Sequence, residues 1–120
     1  MGLIEELQRF RVIDAHAHNW SLFAETDYLV ECLDRFQLKA MVILSNLTGG
    51  YDPEAEDIEE SNAASARLRE AVGERILPFC YVNAAHTDHA LAQIEYWHRQ
   101  GFCALKFWVS QHATDERTAV

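Results

Sequence analysis

The sequence is poor in basic residues and has no long apolar run. Ten Lys and Arg stand against 19 Asp and Glu, which gives a formal net charge of −9 at pH 7. Nucleic acids and anionic membrane surfaces are bound by clustered Lys and Arg. The excess of acidic residues therefore argues against both as partners and favours a small-molecule substrate. No stretch approaches the roughly 20 apolar residues of a membrane span, and residues 1–10 hold no cleavable apolar core. We therefore expect a cytoplasmic protein.

Cysteine is scarce and unpatterned. Cys32, Cys80 and Cys103 are odd in number and form no C-x-x-C pair. Neither a disulfide framework nor a cysteine zinc knuckle is therefore indicated. Because free cysteine is among the most buried residue types, we expect three buried thiols.

No Pro- or Ser-rich linker divides the chain, and 49% of its 120 residues are apolar. Residues 1–120 are therefore expected to form a single domain. Four short runs are rich in β-branched and aromatic residues, which is typical of strands buried on both faces. They are "RVIDAHA", "AMVILSN", "ILPFCYVN" and "CALKFWV".

Segments with helical spacing lie between the first three runs. Apolar residues at i, i+3, i+4 and i+7 predict a helix over 26–36. A second helix, or a pair of helices, is expected to begin after Asp52, as its N-cap, and to end at Gly73.

A third helix is predicted over 87–101, with Leu91, Ile94 and Trp97 as its inward stripe. With a further helix ahead of the first strand, the order is helix and then βαβαβαβ. Strands that alternate with helices predict a parallel sheet with right-handed crossovers. The periodicity leaves open whether this α/β sheet is doubly wound or part of a closed barrel.

The first apolar run ends in two histidines one residue apart, His16 and His18. In an extended strand Asp14, His16 and His18 would share one face, so the two imidazoles could converge on one divalent metal ion such as zinc. Active sites of βα folds gather at the carboxyl ends of the strands, where this pair lies. We therefore predict that the pair binds metal, with Asp14 as a group that orients a ligand ring. The alternative is a strand end that merely carries two imidazoles.

Lys106 is an unexpected charge in the fourth apolar run. Alternation places it with Ala104 and Trp108 on the face opposite an all-apolar set. An unpaired ammonium inside a barrel is costly. Three interpretations stay open: Lys106 pairs with a carboxylate such as Asp14, it lies near the metal, or its carboxylated form bridges two metals.

Other polar and aromatic residues are candidates for the same site. Asn83 and His86 follow the third strand and are expected to line the same end of the sheet. Trp20, just after the histidine pair, either walls a substrate pocket or packs against the rim. The remaining histidines are interpreted as helix-surface or loop residues: His89, His98 and His112.

Four segments together resemble a known family: "VIDAHAHNW", "YLVECLDRFQLKAMVILSN", "GERILPFCYVN" and "ALAQIEYWHRQGFCALKFWVS". They are similar to the amidohydrolase superfamily of metal-dependent hydrolases, and more narrowly to its amidohydrolase-2 group, which also contains decarboxylases. The resemblance implies a (β/α)8 barrel, of which this chain would supply the first four βα units. It also implies that His16 and His18 are first-strand metal ligands and that Lys106 is the fourth-strand lysine, unmodified beside a single metal.

The resemblance further implies the hydrolysis of a small ester, lactone or amide by metal-activated water. An alternative on the same fold is nonoxidative decarboxylation, and a third is a noncatalytic metal-binding or assembly module. The family's later-strand ligands and catalytic groups have no counterpart in this chain. We therefore expect a half-barrel that is either the N-terminal part of a longer enzyme or one partner in an assembly such as a homo-oligomer.

Overall fold

The computed structural model describes residues 2, 5–6, 9–19, 26–46, 49–50 and 52–107. Half of the segment ahead of the first strand, where a helix was expected, falls outside these residues, and so do Trp20, Trp108 and His112. Within the described ranges, strands and helices alternate as the apolar runs predict, except that the third run forms two strands. The elements are β1 (Ile13–Ala17), α1 (Thr26–Arg35), β2 (Ala40–Ile43), α2 (Ala55–Val72), β3 (Ile76–Pro78), β4 (Cys80–Val82), α3 (Thr87–Arg99) and β5 (Leu105–Phe107).

The long helix α2 begins two residues later than Asp52 would set it. Its N-cap is Glu54, whose backbone N–H donates to Oδ2 of Asp57 at 3.0 Å. It ends at Gly73, which has a φ of 100°, a conformation that favours glycine. Among the described residues, none of the helices is both long and apolar enough to cross a membrane.

All strand pairs are parallel, so the expected mixed α/β fold with a parallel sheet is confirmed. One sheet has the order β1-β2-β3, and β4 and β5 form a second pair. Phe79 connects the two: its N–H donates to the carbonyl of Ile43 in β2 at 2.9 Å, whereas the N–H of Cys80 donates to the carbonyl of Ala104 at 2.8 Å. The chain therefore changes pairing partner at Phe79.

The expectation of a single third strand is wrong, and the reason lies in the end of β2. After Ile43 the chain continues to pair with β1, since the N–H of Leu44 donates to the carbonyl of Ala17 at 2.9 Å. It does not continue to pair with β4, because the N–H and carbonyl of Tyr81 bond the side chain of Asn62 in α2. Pro78 immediately precedes the break, and proline has no N–H with which to extend the ladder.

Two apolar clusters fill the space between strands and helices. Helix α2 joins them, because Leu68 belongs to the first cluster while Ala63 and Ala66 pack against the second. The first cluster consists of Ala17, Leu29, Leu33, Met41, Ile43, Leu68 and Ile76. The second consists of Cys80, Val82, Ala90, Trp97 and Phe102.

Two expectations about burial are wrong. Leu91 was assigned to the inward stripe of α3 but is 61% exposed, because Ala90 and Trp97 form the buried side of that helix. Cys103 is exposed and Cys32 half-buried, so only Cys80 among the three thiols is fully buried. In both cases the tertiary packing, rather than the residue type, decides which side faces the core.

Candidate metal site

Strand β1 carries a bulge at the histidine pair. Asp14 lies opposite Met41 and Ala17 opposite Ile43, so three residue steps in β1 match two in β2. Beside this irregularity the N–H of His16 donates to Oδ1 of Asp14 at 3.0 Å. The bulge therefore interrupts the alternation that would place Asp14 on the same face as the two histidines. The carboxylate of Asp14 instead accepts the backbone N–H of His16.

The two imidazoles meet through the same ring atom. Nε2 of His16 lies 3.2 Å from Nε2 of His18, and the rings are nearly edge-to-face, with centroids 5.1 Å apart and planes at 68°. Two nitrogen lone pairs repel each other at this distance unless a proton or a cation lies between them. In the metal-free protein one ring must therefore donate its Nε2–H to the other.

The contacts of His18 with Ser45, just beyond β2, favour one assignment of donor and acceptor. Nδ1 of His18 lies 3.3 Å from the carbonyl oxygen of Ser45 and 3.4 Å from its hydroxyl. A carbonyl oxygen only accepts hydrogen bonds, so the shorter contact favours the His18 proton on Nδ1, whereas the longer one is also compatible with a hydroxyl that donates to a bare Nδ1. With the proton on Nδ1, Nε2 of His18 is the acceptor, and His16 supplies the Nε2–H that bridges the pair.

The surroundings of His18 keep its ring neutral. Its pKa is lowered from 6.5, chiefly by desolvation, although the hydrogen bond to the Ser45 carbonyl acts in the opposite direction. Positive charge on His16 and on Lys106 also lowers this pKa. The ammonium of Lys106 is therefore near enough for His18 to experience its field, and a neutral ring is the form that binds metals.

The distance between the two Nε2 atoms suits a metal ion. A tetrahedral zinc ion with nitrogen ligands at roughly 2.0–2.1 Å requires the two nitrogens to lie about 3.3–3.4 Å apart. The observed 3.2 Å is close to this value. Within the residues that the structure describes, no group of three or more His, Cys, Asp or Glu is arranged to hold a metal. The pair alone therefore has the nitrogen spacing of two zinc ligands.

Asn83, the first candidate after the third strand, is used in the fold. It is 3% exposed, and its Nδ2 donates to Oδ1 of Asp52 at 3.1 Å and to the carbonyl of Pro53 at 3.0 Å. Its Oδ1 accepts the N–H of Ala85 at 3.0 Å. Asn83 therefore anchors the segment that leads into α2.

His86 and His89 contact the beginning of α2. Nε2 of His86 lies 3.7 Å from Oε2 of Glu54, and Nε2 of His89 lies 3.1 Å from Oε1 of Glu59. His89 was expected on a helix surface but its side chain is only 20% exposed. Trp20, the remaining candidate, lies outside the described residues.

Sequence reasoning missed Ser45, which holds the ring of His18. Ser45 is 1% exposed and lies two residues after the end of β2. One signal could have found it: a polar residue just after a buried strand lies at the same sheet edge as polar residues after the neighbouring strand.

Comparison with known proteins gives no relative, since no family model, no curated protein and no solved structure matches this chain.

Proposed function

We propose that His16 and His18 are the first two protein ligands of a divalent metal site, with zinc as the preferred ion, in a metal-dependent hydrolase of the amidohydrolase type. The observation that carries this proposal is the 3.2 Å approach of the two Nε2 atoms at the carboxyl end of β1. The contact between Nδ1 of His18 and the Ser45 carbonyl supports it, because metal-bound histidines usually donate their other ring N–H to such a group.

The strand order supports a barrel rather than a doubly wound sheet. In doubly wound folds the order reverses at a switch point, whereas barrel strands follow one another in chain order. Here β1, β2 and β3 are neighbours in sequence order, and β4 is followed by β5. We propose that these strands belong to the first four βα units of a (β/α)8 barrel.

The chain's own groups would prepare this site in three ways. Neutral His18 presents a lone pair at Nε2. His16 can shift its proton from Nε2 to Nδ1, and its own Nε2 then presents a second lone pair. Lys106 supplies positive charge near the pair, which attracts an anionic group of a substrate. A bound zinc ion would lower the pKa of a water molecule and polarise a substrate carbonyl.

The substrate class proposed is a small ester, lactone or amide. The charge of Lys106 near His18 also favours a second candidate, nonoxidative decarboxylation, because an ammonium there suits a substrate carboxylate. A noncatalytic metal-binding or assembly module is the third, and it differs from both in predicting metal binding without turnover.

Zinc binding by matched variants tests the site. Wild-type protein, His16→Ala, His18→Ala and the exposed α3 control His98→Ala would be titrated with zinc against a chelating dye. We expect the two site variants to bind at least about 100-fold more weakly and the control to bind like wild type. Equal zinc affinity in all four proteins would rule out the site.

Turnover tests the chemistry separately. The zinc-loaded chain would be incubated with panels of esters, lactones, amides and aromatic carboxylates, with the double variant His16→Ala/His18→Ala as control. Metal-dependent hydrolysis or carbon dioxide release that the double variant lacks supports the corresponding enzyme class. Tight zinc binding with no turnover of any panel member supports the noncatalytic module instead.

A further inference from the structure

The peptide group between Ser45 and Asn46 is held at both ends. Its carbonyl oxygen accepts the N–H of Asn19 at 2.8 Å and contacts Nδ1 of His18 at 3.3 Å. Its N–H, on Asn46, donates to Oγ of Ser61 at 3.1 Å. Because a peptide group is planar and rigid, a contact that fixes the N–H also fixes the direction of the carbonyl.

Ser61 lies where it can hold the peptide group between Ser45 and Asn46 in one orientation. It is 0% exposed and lies on the buried side of α2. The next residue, Asn62, bonds β4 in a similar way, with its amide joined to both the N–H and the carbonyl of Tyr81. Helix α2 thus presents two consecutive polar side chains to two backbone segments, the residues just after β2 and the middle of β4. The two bonds of Asn62 to Tyr81 help to fix the position of Ser61 beside it.

We infer that Ser61 is a positioning residue for His18: by orienting the Ser45–Asn46 peptide, its hydroxyl keeps the His18 proton on Nδ1 and the Nε2 lone pair directed at His16. The role of this lone pair as a metal ligand rests on the function proposed above. The position of the ring proton does not depend on that function, and it can be measured in the metal-free protein.

A purely structural role for Ser61 makes a different prediction. The hydroxyl would then only satisfy a buried backbone N–H, as buried polar groups generally require. Its removal would lower stability and leave the tautomer of His18 unchanged. The ring tautomer therefore separates the two roles, whereas thermal stability does not.

Ser65 offers a matched control on the same helix. It lies one turn after Ser61, is 1% exposed, and donates its hydroxyl to the carbonyl of Ser61 inside α2. Ser61→Ala and Ser65→Ala remove the same atom from equally buried positions of one helix. A third variant, Ser61→Thr, keeps the hydroxyl and should retain the wild-type behaviour.

The experiment records the 15N resonances of the His18 ring at pH 8 in metal-free protein, together with the unfolding midpoint and the zinc affinity of each variant. Wild type, Ser65→Ala and Ser61→Thr should show the proton on Nδ1. Ser61→Ala should show a mixture of both tautomers and about tenfold weaker zinc binding, at the low end of the effect of removing an outer partner of a ligand.

A Ser61→Ala protein that is folded and has the same tautomer as Ser65→Ala would overturn the inference. If wild type binds no zinc, the proposed function fails, and the tautomer comparison still decides the role of Ser61. If Ser61→Ala does not fold, Ser61→Cys takes its place, because sulfur is similar in shape and a weaker acceptor. A wild-type tautomer ratio in Ser61→Cys would then overturn the inference, and a mixed ratio would support it.

Discussion

Asn62 holds the backbone of Tyr81 as a neighbouring strand would. Its Nδ2 donates to the carbonyl of Tyr81 at 2.9 Å, and its Oδ1 accepts the Tyr81 N–H at 2.8 Å. The side-chain amide therefore takes the place of a neighbouring strand beside Tyr81 in β4. A third contact, from Nδ2 to Oε1 of Gln93 at 3.1 Å, ties α3 to the same point.

Replacing Asn62 should destabilise the fold strongly. Asn62→Ala leaves a buried N–H and a buried carbonyl of Tyr81 without partners, and we expect the free energy of unfolding to fall by about 2–4 kcal/mol. Gln93→Ala removes the third contact together with the bond that Oε1 of Gln93 accepts from Nε1 of Trp97 at 2.8 Å. It leaves both backbone groups of Tyr81 paired, so it should cost less than Asn62→Ala. Urea unfolding followed by circular dichroism measures the free energy of unfolding of the two variants. Equal losses would contradict the interpretation that Asn62 stabilises the fold mainly through its bonds to Tyr81.

Alkaline pH should weaken the fold through Cys80 and Tyr81. Burial raises the pKa of the Cys80 thiol from 9.0 to about 12, and burial together with Asp57 raises the pKa of Tyr81 from 10.0 to about 12. The unfolded chain therefore loses these protons first. Their contribution is fully present below about pH 9 and is lost as the pH rises toward 12.

The measurement is the free energy of unfolding between pH 8 and 11, alongside tyrosinate absorbance. Cys80→Ala should flatten the alkaline decline if the protein still folds. Tyr81→Phe should flatten it too, and it should leave stability at pH 7 unchanged or slightly higher, because the buried Tyr81 hydroxyl has no hydrogen-bond partner among the described residues. A large loss of stability in Tyr81→Phe at pH 7 would show that this hydroxyl is bonded.

The carboxylate of Asp14 should support the bulge through its acceptor oxygen rather than through its charge. Asp14→Ala removes the partner of the His16 N–H, and we expect about 1 kcal/mol of lost stability and zinc binding weaker by several-fold. Asp14→Asn keeps an acceptor oxygen and should behave nearly like wild type. If Asn were as harmful as Ala in the zinc titration, charge rather than backbone support would be the role of Asp14.

Removing the charge of Lys106 should change the titration of His18. Lys106→Met is expected to raise the pKa of His18, because the ammonium is one of the groups that lower it. Lys39→Met, a change just before β2 and so at the opposite end of that strand, serves as the control for net charge. Histidine resonances followed against pH measure the effect, and an identical His18 curve in both variants would place Lys106 out of electrostatic reach.

The order of strands and helices could be predicted because apolar periodicity is a local property of the chain. The histidine pair was also visible, since its spacing depends only on two residues of one strand. The bulge at Asp14 and the change of partner at Phe79 depend on the register between strands, which sequence alone does not encode locally. Pro78 was the one local sign of that break.

Buried polar contacts were the least predictable part of the fold. Ser61 and Asn62 lie in a segment whose small and polar residues predict a helix. Nothing in the local sequence shows that their side chains bond the backbone of other segments. Their contacts arise when α2 packs against β2 and β4, through partners 15 to 19 residues away. Such residues require the tertiary structure to be recognised.

Helix α2 also bears on whether the two apolar clusters unfold together or separately. It contributes Leu68 to one apolar cluster and Ala63 and Ala66 to the surroundings of the other. Because the same helix packs against both clusters, we expect them to unfold together as one cooperative unit. The backbone amides at the centre of α2 should accordingly be among the slowest to exchange with deuterium.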